Sequence, residues 1–145
     1  MRGRVTTMVF GFLLSLHAAG SIASAEDAKF RFTNNTPETI YMNLFSRARH
    51  LNWPGPKKHW VLNPGQKGTV AAGACQPNEK ICFGGGNKNG SRYWGDGLDG
   101  KKGCANCCIQ CGGSYAWTLT EHSDPPSRPH AATIDDGPAL VPADD

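Results

Sequence analysis

The sequence predicts an all-β protein: a small disulfide-stapled β-sandwich with a long Gly/Cys-rich loop. Three observations predict it. Apolar and polar residues alternate in several short runs, the period of a half-buried strand. Eighteen glycines and ten prolines punctuate those runs, and no stretch sustains a 3.6-residue apolar period with caps. Six cysteines follow an N-terminal export signal in a chain of 145 residues, the cysteine usage of a small secreted domain that burial alone holds only marginally.

The elements follow in order. Phe30 and Phe32 alternate with Lys29, Arg31 and Thr33, which predicts a strand over 29–33. Asn34-Asn35-Thr36-Pro37 is a turn. Residues 39–45 alternate again, with Ile40, Met42 and Leu44 on one face and Tyr41, Asn43 and Phe45 on the other. Two such runs around an Asn/Pro turn predict a hairpin or an adjacent strand pair. Trp53-Pro54-Gly55-Pro56 fits neither helix nor regular strand and predicts a rigid turn. Short strands are expected at 60–62, 68–72 and 79–83, the first stopped by Asn63-Pro64-Gly65 and the last by Gly84-Gly85-Gly86. Tyr115, Trp117 and Leu119 share a face of a final strand over 114–120, with Trp117 in the core. The connection from Gly84 to Gly113 is too long to stand without support.

The chain divides into three parts. Residues 1–25 read as a signal peptide: Arg2 and Arg4, an apolar core from Val9 to Leu16, then Ala23-Ser24-Ala25 with cleavage after Ala25. Residues 26–122 form the disulfide-rich β domain. Residues 123–145 carry five prolines, five aspartates and no aromatic residue, which predicts a disordered Pro/Asp-rich tail. The product is expected to be secreted or periplasmic, without a membrane span, and monomeric. Residues 26–122 carry twelve Lys/Arg against seven Asp/Glu. They are scattered, so nucleic-acid binding, which wants a dense basic face, is not expected. The stretch 47–58 is the best place for an anionic partner.

Cys104, Cys107, Cys108 and Cys111 lie in a CxxCCxxC cluster, with Cys75 and Cys82 upstream around the turn Gln76-Pro77-Asn78-Glu79. Two CxxC pairs can chelate a tetrahedral ion. Here the two halves abut, and export favours oxidation, so all six are expected in disulfides with no metal and no cofactor. Six cysteines allow fifteen pairings. A Cys107–Cys108 bond is excluded because neighbouring Cα atoms are closer than the usual ~4.4–6.8 Å; the others stay open. Adjacent cysteines with different partners would tie two parts of the loop at one point.

For ligand binding, Trp53, Trp60, Tyr93 and Trp94 are the candidate contacts, as an aromatic platform for a sugar ring. Asp96 and Asp99 do not follow a calcium-loop pattern. His50, His59 and His122 are isolated and no Gly-x-Ser-x-Gly elbow occurs, so no catalytic residue is assigned. Glu38, Glu79, Asp96, Asp99 and Glu121 are the carboxylates from which a glycosidase pair would be drawn. Asn34-Asn35-Thr36 and Asn89-Gly90-Ser91 match the glycosylation sequon.

Lys29-Phe30-Arg31-Phe32 leading into Asn34-Asn35-Thr36, then Thr39-Ile40-Tyr41, Leu62-Asn63-Pro64-Gly65-Gln66 and Val70, resembles the opening of thaumatin-like (osmotin-type) secreted β-sandwiches. The segment 104–113 is similar to their Cys/Gly-rich loops. The chain is about half that family's length, has fewer cysteines and lacks a recognisable acidic cleft, so the glucan-binding or antifungal roles the resemblance implies fall on no particular residue. It resembles equally the short secreted bacterial proteins with a Trp-Pro-Gly turn and a late cysteine cluster. Hevein-type chitin binding is rejected, because Ala105, Asn106, Ile109 and Gln110 stand where aromatics are needed. The expected function is non-catalytic binding, with envelope or extracellular carbohydrate as ligand. The alternatives are a small cell-wall polysaccharide hydrolase and a secreted metal-binding protein built on the cysteine cluster.

Overall fold

The computed structural model describes residues 26–121, the backbone of 130–131, and residues 138–144. The signal peptide falls outside the described residues. Eleven strands form two sheets, and no helix occurs among the described residues. They are β1 (Glu26–Asn34), β2 (Ile40–Ser46), β3 (Leu51–Trp53), β4 (Lys58–Leu62), β5 (Lys67–Cys75), β6 (Lys80–Gly86), β7 (Tyr93–Gly95), β8 (Cys108–Gln110), β9 (Ser114–Leu119), β10 (His130–Ala131) and β11 (Pro142–Asp144). One sheet runs β10-β9-β1-β5. The other runs β11-β4-β2-β6-β7, with β3 beside β2 and β8 beside β6.

The period-2 pattern decides which residues meet between the sheets. Ala28, Phe30 and Phe32 of β1 point inward and are buried, as are Ile40, Met42 and Leu44 of β2. Four aromatic rings occupy the centre. Phe30 stacks on Trp117 at 5.2 Å, and Phe83 meets Phe32 and Trp117 edge-on at 4.9 and 5.2 Å. Such pairs add about 0.5–1.5 kcal/mol each beyond the area they bury.

β1 and β2 do not form the expected hairpin. β1 pairs with β5 and β9, whereas β2 pairs with β3, β4 and β6. Both strands bury one full apolar face, and facing each other across the sandwich buries both faces at once. Asn34 makes the crossing. Its side chain is fully buried; Nδ2 donates to Glu38 O and Leu62 O, and Oδ1 accepts from the Thr36 backbone and hydroxyl. Its backbone meets Gln66 and Gly65. The sequon at Asn34 is therefore structural, since both amide atoms are used and water does not reach them. Asn89 of the other sequon is exposed.

The connection from Gly84 to Gly113 is less irregular than expected. β6 runs on through Gly86, and β7 and β8 return to pair with it. The tail departs further from expectation. Residues 130–131 pair with β9 and residues 142–144 with β4, while Leu140 donates its N–H to Thr69 O. Tail residues expected to lack order thus close the open side of the sandwich between β4 and β5. Leu140 packs against the core beside Gly68, where a side chain at 68 would occupy its space. The Pro/Asp composition hid a single apolar anchor and free strand edges on both sheets.

Replacing Asn34 by Ala removes the side-chain donor to Leu62 O, one of the two donors to Glu38 O, and the acceptor of the Thr36 N–H and hydroxyl. The expected cost is about 3 kcal/mol, read as a lowered urea midpoint with an unchanged slope.

Candidate functional site

Three disulfides close the chain: Cys75–Cys111, Cys82–Cys108 and Cys104–Cys107. The adjacent Cys107 and Cys108 do take different partners. The first two bonds span 36 and 26 residues and fasten β8 and the following turn to β5 and β6. On a chain-entropy account these long closures stabilise by roughly 3.8 and 3.5 kcal/mol, and the three-residue closure by roughly 1.6 kcal/mol. The sulfurs of Cys82, Cys107 and Cys108 lie within 4.8 Å of one another. All three are bonded in disulfides, so they lack the thiolates a metal ion needs. Multiple disulfides match an oxidising compartment. No helix among the described residues is long and apolar enough to cross a membrane.

The four aromatic candidates do not form a platform. Trp60 and Trp94 are 5 % and 1 % exposed and belong to the core. The Trp94 indole N–H donates to Thr120 O at 2.8 Å, so its polar atom is satisfied inside. Trp53 and Tyr93 are half-buried. The Arg49 guanidinium lies 5.8 Å from the Trp53 ring centre, and Lys102 Nζ lies 5.4 Å from that of Tyr93. Each accessible ring thus already carries a cation.

Two of the candidate carboxylates, Glu79 and Asp96, are committed to structure. Glu79 is 6 % exposed and accepts from Arg49 Nε at 2.7 Å, Arg49 Nη2 at 2.8 Å, the Gln76 N–H at 2.7 Å and the Ser46 hydroxyl. The Arg49 hydrogen bonds, foremost, hold its carboxyl down at about 2. A group so acidic is no general acid at neutral pH. Asp96 is fully buried, accepting from the Gly103 N–H at 2.7 Å and from Arg47 at 2.5 Å. Glu79 orders the β2–β3 turn and Asp96 the loop after β7.

That loop lies flat on the outer face of the second sheet because β6 ends in three glycines. A Cβ on Gly84 would collide with Gly97 O, and one on Gly86 would press on Leu98. Gly100 sits against the Phe45 ring. Leu98 thereby becomes one wall of a groove of about 300 Å³. Tyr41, His59 and Val61 of β2 and β4 form its floor, Ala143 and Asp144 of β11 its other wall, and Asn87 and Lys88 one end. A second depression adjoins it, lined by Glu38, Thr39 and Asn89 together with the same Tyr41, Asn87 and Lys88. Tyr41 thus stands between two connected hollows.

Polar groups around the groove are held in place. Asn87 Nδ2 donates to Ser91 Oγ at 3.0 Å and Glu38 Oε2 at 3.2 Å, and its Oδ1 accepts from Arg92 N. The carbonyls of Met42 and Lys58 face the Asn43 side chain, which therefore turns its amide nitrogen toward them and donates to His59 Nδ1 at 2.8 Å. Neutral His59 accordingly carries its proton on Nε2. Its ring meets Tyr41 edge-on at 6.2 Å.

None of these groove residues was among the ligand contacts expected from sequence; Glu38 was there only as a carboxylate for a glycosidase pair and His59 only as an isolated histidine. The alternation of β2 already put Tyr41 on the face opposite Ile40, Met42 and Leu44, which was the available signal. The walls had none, since Leu98 arrives through the glycine contacts and Asp144 through the tail. Comparison with protein-family models, with curated proteins and with solved structures finds no match.

The acid behaviour of Glu79 is testable. Its folded-state pKa is depressed, so its contribution is complete above about 4.5 and is lost as pH falls toward about 2. With allowance for solvent screening at the half-buried Arg49, about 1–2 kcal/mol should disappear over that window. Urea midpoints measured across it should fall in the native chain and fall less in Glu79→Gln.

Proposed function

We propose that the chain is a non-catalytic binding protein for envelope or extracellular carbohydrate, exported by residues 1–25 to the periplasm or beyond and acting there as a monomer. The observation that carries this reading is the paired hollow on either side of Tyr41. An open groove with an aromatic ring at its middle, an oriented amide and, at its rim, an ammonium and a carboxylate group suits a short run of sugar rings. Their apolar faces stack on the ring while their hydroxyls exchange hydrogen bonds with the rim. Asn87 offers an amide already oriented, Lys88 donates only, and Asp144 accepts only. The resemblance to thaumatin-like sandwiches implies the same ligand class.

The contacts proposed are therefore Tyr41, Asn87 and Lys88, rather than Trp53, Trp60, Tyr93 and Trp94. Trp60 and Trp94 present no face to solvent, and Trp53 and Tyr93 stack with cations of this chain.

A glycan array followed by calorimetry on the best binder tests the reading. Tyr41→Ala should weaken binding by about tenfold, equivalent to about 1.4 kcal/mol, at an unchanged melting temperature. Trp53→Ala should leave binding intact. A native chain that binds no glycan above background would contradict the carbohydrate assignment.

A further inference from the structure

We propose that Cys104–Cys107 is an exchangeable disulfide, a thiol–disulfide exchange site that takes electrons from cysteine thiols of other exported proteins. This activity is separate from the groove.

Three observations carry it. First, the bond is dispensable to the fold. It closes only three residues, and the same segment is already fastened on its C-terminal side by Cys82–Cys108, Cys75–Cys111 and the pairing of β8 with β6. Second, the two sulfurs are unequal. Cys104 is half-buried and Cys107 fully buried, so attack is directed to Cys104 and Cys107 leaves. Third, the approach is open. Gly103 has no atom within 4 Å of where a Cβ would stand, and it is itself exposed. By contrast the Glu26 carboxylate lies against Gly112 beside Cys111, where it repels an incoming thiolate.

A substrate thiolate attacks Cys104 Sγ, a mixed disulfide forms, the Cys104–Cys107 bond breaks, and its electron pair leaves on Cys107, which takes up a proton. A second substrate thiolate attacks the substrate sulfur of the mixed disulfide and releases Cys104 as thiolate. The substrate dithiol is oxidised to a disulfide and the Cys104–Cys107 disulfide is reduced to a dithiol.

The exported chain, equilibrated in glutathione buffers of decreasing oxidation and quenched with an alkylating agent, gives a direct readout by peptide mass. Cys104 and Cys107 should be alkylated alone over a range in which the other four cysteines stay bonded and the near-ultraviolet circular dichroism is unchanged. The oxidised chain should also form disulfides in a reduced, unfolded model protein at least tenfold faster than Cys104→Ser/Cys107→Ser. Opening of all three disulfides together, or of Cys104–Cys107 last, overturns the proposal. So does a native rate equal to that of the double variant. The alkylation pattern is read on the native chain and does not depend on the variant folding.

Discussion

The return of the chain from β6 to β9 is the constraint on which the rest of the structure depends. β1 sits at the centre of the first sheet and needs β9 as its parallel neighbour. β9 follows a segment from Asn87 to Gly113 that buries few apolar side chains of its own. Ordering such a segment costs about 1–2 kcal/mol per residue in backbone entropy. Two long-range disulfides offset part of this by limiting the unfolded chain, and Asp96 fixes the segment from within. Glycines at 84 and 86 let it lie directly on the sheet, so that the loop comes to the main chain where side chains would hold it off.

The groove is a product of that closure. Its floor is the outward face of β2 and β4, which any half-exposed sheet would offer. Its depth comes from two additions lying on either side, the loop carrying Leu98 and the terminal strand carrying Ala143 and Asp144. Without them Tyr41 and Val61 would form a flat surface. The tryptophans follow a different logic. Large indoles stabilise most when buried, provided the ring N–H finds an acceptor. Carbonyls of Thr120 and Asn106 serve Trp94 and Trp117 in this way. Asn106 lies just before β8 and Thr120 just after β9, so these rings help seat the returning chain instead of meeting a ligand.

Local pattern made much of this legible. The alternation around Phe30, Met42 and Trp117 located strands and their buried faces, because side-chain period is a property of a few consecutive residues. The glycine triplet marked a strand end in sequence; in the fold it is the continuation of β6, since its meaning depends on the distant Gly97 and Leu98. Asn34 read as a turn residue, but its role in joining the sheets requires the carbonyl of Leu62. The disulfide pairing was open because six cysteines carry no label of partner. Leu140 was hidden in a polar, proline-rich context, and one apolar side chain gives no periodicity. Every groove residue therefore depended on long-range placement, and only the outward direction of Tyr41 was readable beforehand.

Two nested staples, Cys75–Cys111 and Cys82–Cys108, bring the returning chain back onto the sheets. Mass spectrometry of a proteolytic digest of the non-reduced, exported protein tests it directly. Linked peptides are expected for Cys75–Cys111, Cys82–Cys108 and Cys104–Cys107, with no free thiol. A Cys75–Cys82 link, or free thiols at Cys108 and Cys111, would contradict it.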